Sequence, residues 1–204
     1  RYKYDETILN YHYRSKYEEL ISFSNYAFYD GKLIVSPNQE HPKRPPIEYI
    51  VCEDGVWDRR QNLPEAKKVI EIIKRVLRNK TPEETLGVIT FNVQQRNLIE
   101  DLLDETLFSK SKYAKQLETE MNRFESGEDK SLFVKNIENV QGDERDIIIF
   151  STAYAKNAEG RFLRQFGWLN NEGGQNRLNV AVSRAKKKIY MVTSFYPESF
   201  RVED

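Results

Sequence analysis

Three short runs of this chain carry side chains whose types and spacing suit phosphate or ribose chemistry. The first, Leu9-Asn10-Tyr11-His12-Tyr13-Arg14-Ser15, sets an arginine among aromatics. By residue type alone it is either a ligand-binding guanidinium or a packed, snorkelling side chain. The second is Val140-Gln141-Gly142-Asp143-Glu144-Arg145-Asp146. Gly142 can take a positive φ or admit another group against its backbone, and the carboxylates beside it suit a ribose hydroxyl or an arginine. The bland alternative is a charged turn feeding a strand. The third, Gly173 to Lys186, contains Arg177-Leu178-Asn179-Val180-Ala181-Val182-Ser183-Arg184-Ala185. Its two arginines stand seven residues apart, about two helical turns, so on one helix both would project from similar sides. A guanidinium is always charged and presents a rigid fork of donors, which suits a γ-phosphate as well as it suits a surface carboxylate.

These runs must be positioned by a scaffold, and the rest of the sequence describes one. Short β-rich runs alternate with helical patterns, as in βαβ units around a mostly parallel sheet. Strands are expected at 47–51, 87–91, 131–134, 146–151 and 189–193. The uninterrupted Ile147-Ile148-Ile149-Phe150 should be central, and 189–193 should close the sheet. Helices are expected at 64–77, with Val69, Ile70, Ile73 and Val76 or Leu77 on one face, at 94–103, and at 177–185. The polar stretch 108–130 reads as a peripheral insertion, and 1–45 as an N-terminal motif segment ahead of a core at 46–196.

Composition narrows the class. At 204 residues, with 39% apolar and 31% charged side chains, the chain is long and apolar enough for one domain with a proper core. Lys plus Arg equals Asp plus Glu at 32 each, so any phosphate contact must be local rather than a property of bulk charge. Cys52 is the sole cysteine, which excludes an internal disulfide or a thiolate metal site and suits a reducing compartment, with the cytoplasm expected. No apolar run approaches the roughly 18 residues needed to cross a bilayer, so no membrane partner is expected. The start at Arg1, without Met, suits a domain cut from a longer chain.

In this order and spacing, the three runs resemble the later motifs of superfamily 1 helicases, in the group of the nonsense-mediated-decay RNA helicase and the replication helicase-nuclease. The resemblance rests on Tyr13-Arg14 followed by Phe28-Tyr29-Asp30-Gly31-Lys32-Leu33, on Gln141-Gly142-Asp143-Glu144 before a strand, and on the Arg177 to Ala185 run. Between them, Gly87-Val88-Ile89-Thr90-Phe91-Asn92-Val93-Gln94-Gln95 is similar to an Ile-Thr-Pro-Tyr-x-x-Gln element, with Phe91-Asn92 where the family has Pro-Tyr. The tract from Phe166 to Gly174 resembles bacterial multidomain members.

The resemblance implies the second RecA-like lobe of a helicase: an α/β, P-loop NTPase-type, three-layer α/β/α domain with a mostly parallel sheet and no phosphate loop of its own. It implies Arg14 and Arg184 as the groups that meet the γ-phosphate. Gln141, Gly142, Glu144 and, with a lesser part, Arg177 would lie around the nucleotide. Thr90, Gln95 and Asn136 would touch nucleic acid, Asn136 replacing a small hydroxyl, and Phe166 or Trp168 could stack on a base. The sequence has neither Gly-x-x-x-x-Gly-Lys-Ser/Thr nor an Asp-Glu after a strand for magnesium. ATP with magnesium should therefore be bound mainly by a first lobe preceding Arg1, with the isolated chain inactive. Single-stranded nucleic acid, DNA favoured over RNA, and that first lobe are the expected partners. The alternative is a non-catalytic RecA-like module that binds nucleic acid or protein.

Overall fold

The computed structural model of the chain describes residues 11–12, 15–28, 32, 34–35, 42, 45–109, 111–162 and 174–196. Arg14, Phe166 and Trp168 fall outside these residues, and with them the expectations placed on those side chains.

The centre is a five-stranded sheet of β3 (Ile47–Val51), β4 (Leu86–Thr90), β7 (Phe133–Asn136), β8 (Arg145–Ser151) and β9 (Ala185–Thr193). Its order is β3-β9-β8-β4-β7, with every pairing parallel. A two-residue pair, β1 (Tyr11–His12) and β2 (Ile34–Val35), stands apart. Because successive strand residues face opposite ways, β8 must find apolar cover on both faces. Ile147 and Ile149 pack with α2 (Leu63–Asn79), α3 (Val93–Phe108) and Leu117 of α4 (Lys112–Met121). Ile148 and Phe150 pack on the other side with Leu20 of α1 (Glu19–Phe28) and Ala181 and Val182 of α5 (Gly174–Val182). The result is the RecA-like three-layer α/β/α arrangement.

Local chemistry starts the two long helices. Asn62 caps α2 by accepting from the Glu65 amide, with Pro64 in the first turn. Asn92 caps α3 through the Gln95 amide at 2.8 Å. Along α2, Ala66, Val69, Ile72, Ile73, Val76 and Leu77 recur at helical spacing and are all buried.

Three expectations need correction. The last strand runs from Ala185, not 189, and lies inside the sheet between β3 and β8. Its entrance is disguised by Lys186-Lys187-Lys188, which carboxylates neutralise in space: Glu144 at 2.6 Å, Glu84 and Asp146 at 3.3 Å each, and Glu48 at 3.3 Å. The preceding helix ends at Val182, so Ser183 and Arg184 form a turn. The two-turn argument joining Arg177 to Arg184 therefore does not hold. Finally, the 108–130 stretch is only partly peripheral. Leu117 is fully buried in the main core, and Gln116 donates to the Leu77 carbonyl at 2.5 Å, whereas the hairpin of β5 (Phe124–Glu125) and β6 (Glu128–Asp129) is exposed.

Candidate functional site

The expected site residues divide between the two edges of the sheet. Strand β8, seven residues long, separates them by roughly 20 Å at about 3.3 Å per residue.

At the edge where β8 and β9 begin, Arg145 lies opposite Ala185, and its amide donates to the Arg184 carbonyl at 3.1 Å. This pairing lays the turn before β8 beside the turn before β9. Gly142 has φ +90°, a conformation that favours glycine, and nothing lies within 4 Å of where a Cβ would stand. Gln141 beside it is exposed. The Arg184 guanidinium, half-buried, donates to the Val180 carbonyl at 2.9 Å, to Ser183 Oγ at 2.9 Å and, at the 3.5 Å limit, to the Asp143 carbonyl. On the other flank of β9's entrance, the Lys16 amide donates to the Lys186 carbonyl at 2.6 Å and Ser15 Oγ to the Ala185 carbonyl at 3.3 Å. The residues that follow Arg14 are thus docked immediately after Arg184 in space.

A cleft of about 410 Å³ opens beside this turn, with Gly142, Glu144, Arg145, Asp129 and Lys130 among its walls. Gln141, Arg177 and Arg184 do not line it. Arg177 is half-buried on α5. The turn's carboxylates are matched by lysines, Glu144 with Lys186 at 2.6 Å and Asp143 with Lys135 at 2.7 Å. Burial would raise the Asp146 carboxyl, but bonds from the Thr85 amide and hydroxyl, with Lys187 alongside, hold it below its ordinary 3.8. Arg145, 7% exposed, donates to the Ser131 and Glu144 carbonyls at 2.9 and 2.8 Å and stacks on Phe133. It bolts the β5–β6 end of the insertion to the turn. Sequence reading passed over Arg145 because nothing in one charged turn distinguishes a buried arginine from an exposed one.

At the opposite edge, Thr90 pairs in register with Asn136 of β7 and Ser151 of β8. All three residues expected to touch nucleic acid gather near this edge, and all three are buried. Thr90, fully buried, donates to the Asn92 carbonyl at 2.8 Å. Gln95, also fully buried, accepts from the Asn62 amide at 2.8 Å and donates to the Asn62 carbonyl and Ser151 Oγ at 3.2 and 3.1 Å. Asn136, 2% exposed, donates from Nδ2 to Glu138 at 3.1 Å, while its Oδ1 is buried without a partner. The amide donor expected to meet a phosphate is therefore engaged by a carboxylate. In this geometry Thr90 and Gln95 are framework groups, because their polar atoms are already satisfied inside the protein.

Beneath the same edge lies Glu65, which sequence reading missed. Its Oε1 accepts from Ser151 Oγ at 2.8 Å and from the Ala153 amide at 2.7 Å. Its Oε2 accepts from Ser194 Oγ at 2.9 Å and Asn62 Nδ2 at 3.3 Å. Burial drives the Glu65 carboxyl up from 4.5 to about 7 against the lowering pull of these donors. Ala153, with φ +66°, has its amide at this carboxylate, and its carbonyl accepts from Asn62 at 3.1 Å. The available signal was Asn62-Leu63-Pro64-Glu65, a helix-start pattern with an acid at the third position.

Among the described residues no three His, Cys, Asp or Glu side chains converge to hold a metal ion, and no helix is long and apolar enough to cross a membrane. The chain is similar to several known proteins. The Uncharacterized ATP-dependent helicase MG140 of Mycoplasma genitalium is 42% identical over 183 residues, which is 90% of this chain and 16% of that protein. Its homolog in Mycoplasma pneumoniae is 40% identical over the same shares. The Uncharacterized ATP-dependent helicase MJ0104 of Methanocaldococcus jannaschii is 26% identical over 93% of this chain and 27% of its own length. The chain thus spans about a sixth of the first two relatives, at 16% of each. A solved structure, the C-terminal domain of a possible DNA helicase from Lactobacillus plantarum, aligns over 93% of both chains with 15% identity and a TM-score of 0.49. The model of the AAA domain family matches residues 1–195, nearly the whole length, and the chain belongs to that family.

Proposed function

We propose that this chain is the second motor lobe of an ATP-dependent, superfamily 1 nucleic-acid helicase, and that Arg184 and Arg14 serve ATP held mainly by a first lobe. The observation that carries this reading is the docking of Ser15 and Lys16 on Ala185 and Lys186, which brings the chain beside Arg14 to the turn that holds Arg184. The residues at this edge fit a nucleotide approaching from outside: Gly142 leaves its surroundings open, Gln141 is exposed and Glu144 is half-exposed.

When bound, ATP would supply a phosphoanhydride whose β–γ bond breaks with negative charge spread over the γ-phosphoryl oxygens and the departing bridge oxygen. Arg184 then exchanges its contacts with the Val180 and Asp143 carbonyls for that charge, a small movement from a half-buried position. Glu144 takes the ribose hydroxyls once it leaves Lys186, an exposed pairing weak enough to break. Gly142 lets the phosphates approach the backbone, and Gln141 links nucleotide to strand. Arg177 positions neighbouring groups on α5. Magnesium belongs to the first lobe. Single-stranded nucleic acid, DNA in preference to RNA, runs along the opposite edge of the sheet, framed by Thr90, Gln95 and Asn136.

The test is ATP hydrolysis by the full-length protein with and without single strands. Stimulation is expected, larger with DNA than with RNA, and the isolated chain should be inactive. Arg184→Ala should still bind ATP and lose turnover on the order of a thousandfold. Normal turnover in that variant would sink the assignment and favour a non-catalytic binding module.

A further inference from the structure

The strand edge poses a problem of charge. Binding a single strand without regard to sequence depends on cations at its phosphates. Thr90, Gln95 and Asn136 are buried and offer none. Above them, the loop that leaves β3 crosses back over the sheet. It ends in a tight turn, where Asp58 and Gln61 exchange backbone bonds of 2.9 and 2.7 Å. The two residues at its tip are Arg59 and Arg60, with φ of +48° and +66°. This is the backbone of a type I′ turn, which normally selects Asn-Gly, and each L residue other than glycine or asparagine there costs roughly 1 kcal/mol.

The strained turn is held firmly. Gln61 donates to the Gln94 carbonyl at the start of α3 at 3.3 Å, and Asn62 joins the Gln95 and Glu65 network. The Trp57 amide donates to the Lys156 carbonyl at 2.9 Å, and the Trp57 ring stacks on Tyr154 at 5.3 Å. Both arginines are exposed, and neither guanidinium has a hydrogen-bond or ion-pair partner among the described residues. Arg60 acts electrostatically on the Tyr154 phenol, though burial dominates and pushes that phenol up to about 12. By contrast, two carboxylates earlier in the loop are engaged, Glu53 by Tyr196 Oη and Asp54 by the Cys52 thiol, while Asp58 is exposed and neither arginine pairs with it. A left-handed pair of unpartnered arginines, kept at a backbone cost on a rigid ledge beside the strand edge, is better explained by a ligand than by stability.

We infer that Arg59 and Arg60 form a phosphate clamp for the backbone of single-stranded nucleic acid. This rests on the strand running along this edge, as proposed above. It adds the cationic contact that the expected residues cannot supply.

The test uses the full-length protein and a fluorescein-labelled oligothymidylate, read by anisotropy across a salt series. The variant combines Arg59→Asn with Arg60→Gly, the pair this turn prefers, so folding is preserved and the melting temperature should hold or rise. Affinity for the strand should fall roughly tenfold, and the slope of log K against log salt should flatten by about 1.4, two contacts at about 0.7 each. Arg59→Lys with Arg60→Lys should recover most of the slope. Unchanged affinity and slope in the Asn-Gly variant, with wild-type protein binding normally, would overturn the clamp alone. Failure of the wild-type protein to bind the strand would overturn the strand assignment and the clamp with it.

Discussion

The two edges of the sheet handle polar groups in opposite ways. Where β8 and β9 begin, charge is managed in part by pairs near the surface: Glu144 with Lys186 and Asp143 with Lys135. Such pairs are worth about 0 to 1 kcal/mol each and are screened by salt, so they can be exchanged when a ligand arrives. Where the strands end, Asn62, Glu65, Gln95, Ser151 and Ser194 form a buried network of hydrogen bonds around one carboxylate. Breaking a buried network leaves unsatisfied groups, so that edge is fixed. Under the function proposed above, the exchangeable edge would suit a nucleotide that comes and goes, and the fixed edge a track.

This contrast can be broken most decisively by Arg184→Ala in the full-length protein. Turnover should fall on the order of a thousandfold while strand affinity stays near wild type, as steady-state ATPase and anisotropy together would show. A parallel loss of strand binding would mean the edges are not separable.

Next in size is Glu65→Ala, which strips the buried network of its acceptor and should cost about 3 kcal/mol in chemical denaturation. The milder Glu65→Gln sharpens the point through pH. The folded protein holds the Glu65 proton up to about 7, whereas the unfolded chain releases it near 4.5. The folded state therefore binds more protons in that window, and stability should decline as pH rises from 4.5 to 7 and flatten above it. Glu65→Gln should lack that decline.

A smaller effect is expected at Gly142→Ala. Space is available for the Cβ, so the penalty is only that of φ +90°, about 1 kcal/mol or a few degrees of melting temperature. Smallest of all, Lys186→Ala should shift stability by less than about 1 kcal/mol while leaving Glu144 without its cation. A large loss there would show that the edge where β8 and β9 begin is as rigid as the other.

What the sequence determined by itself was whatever depends on local chemistry and periodicity. The five strands, the buried centre at Ile147 to Phe150 and helix α2 follow from apolar spacing and from Pro64 in the first turn of that helix. The ordered motifs around Arg14, Gln141 and Arg184 pointed to the family. Only tertiary structure decided the rest, because it turns on partners distant along the chain. Lys186, Lys187 and Lys188 can enter the sheet because Glu144, Glu84, Asp146 and Glu48 meet them there. Gln95 reads as an exposed polar residue until Asn62 and Ser151 enclose it, and Asn136 until Glu138 takes its donor. Arg59 and Arg60 reveal their strain only as φ angles, which no composition or spacing records.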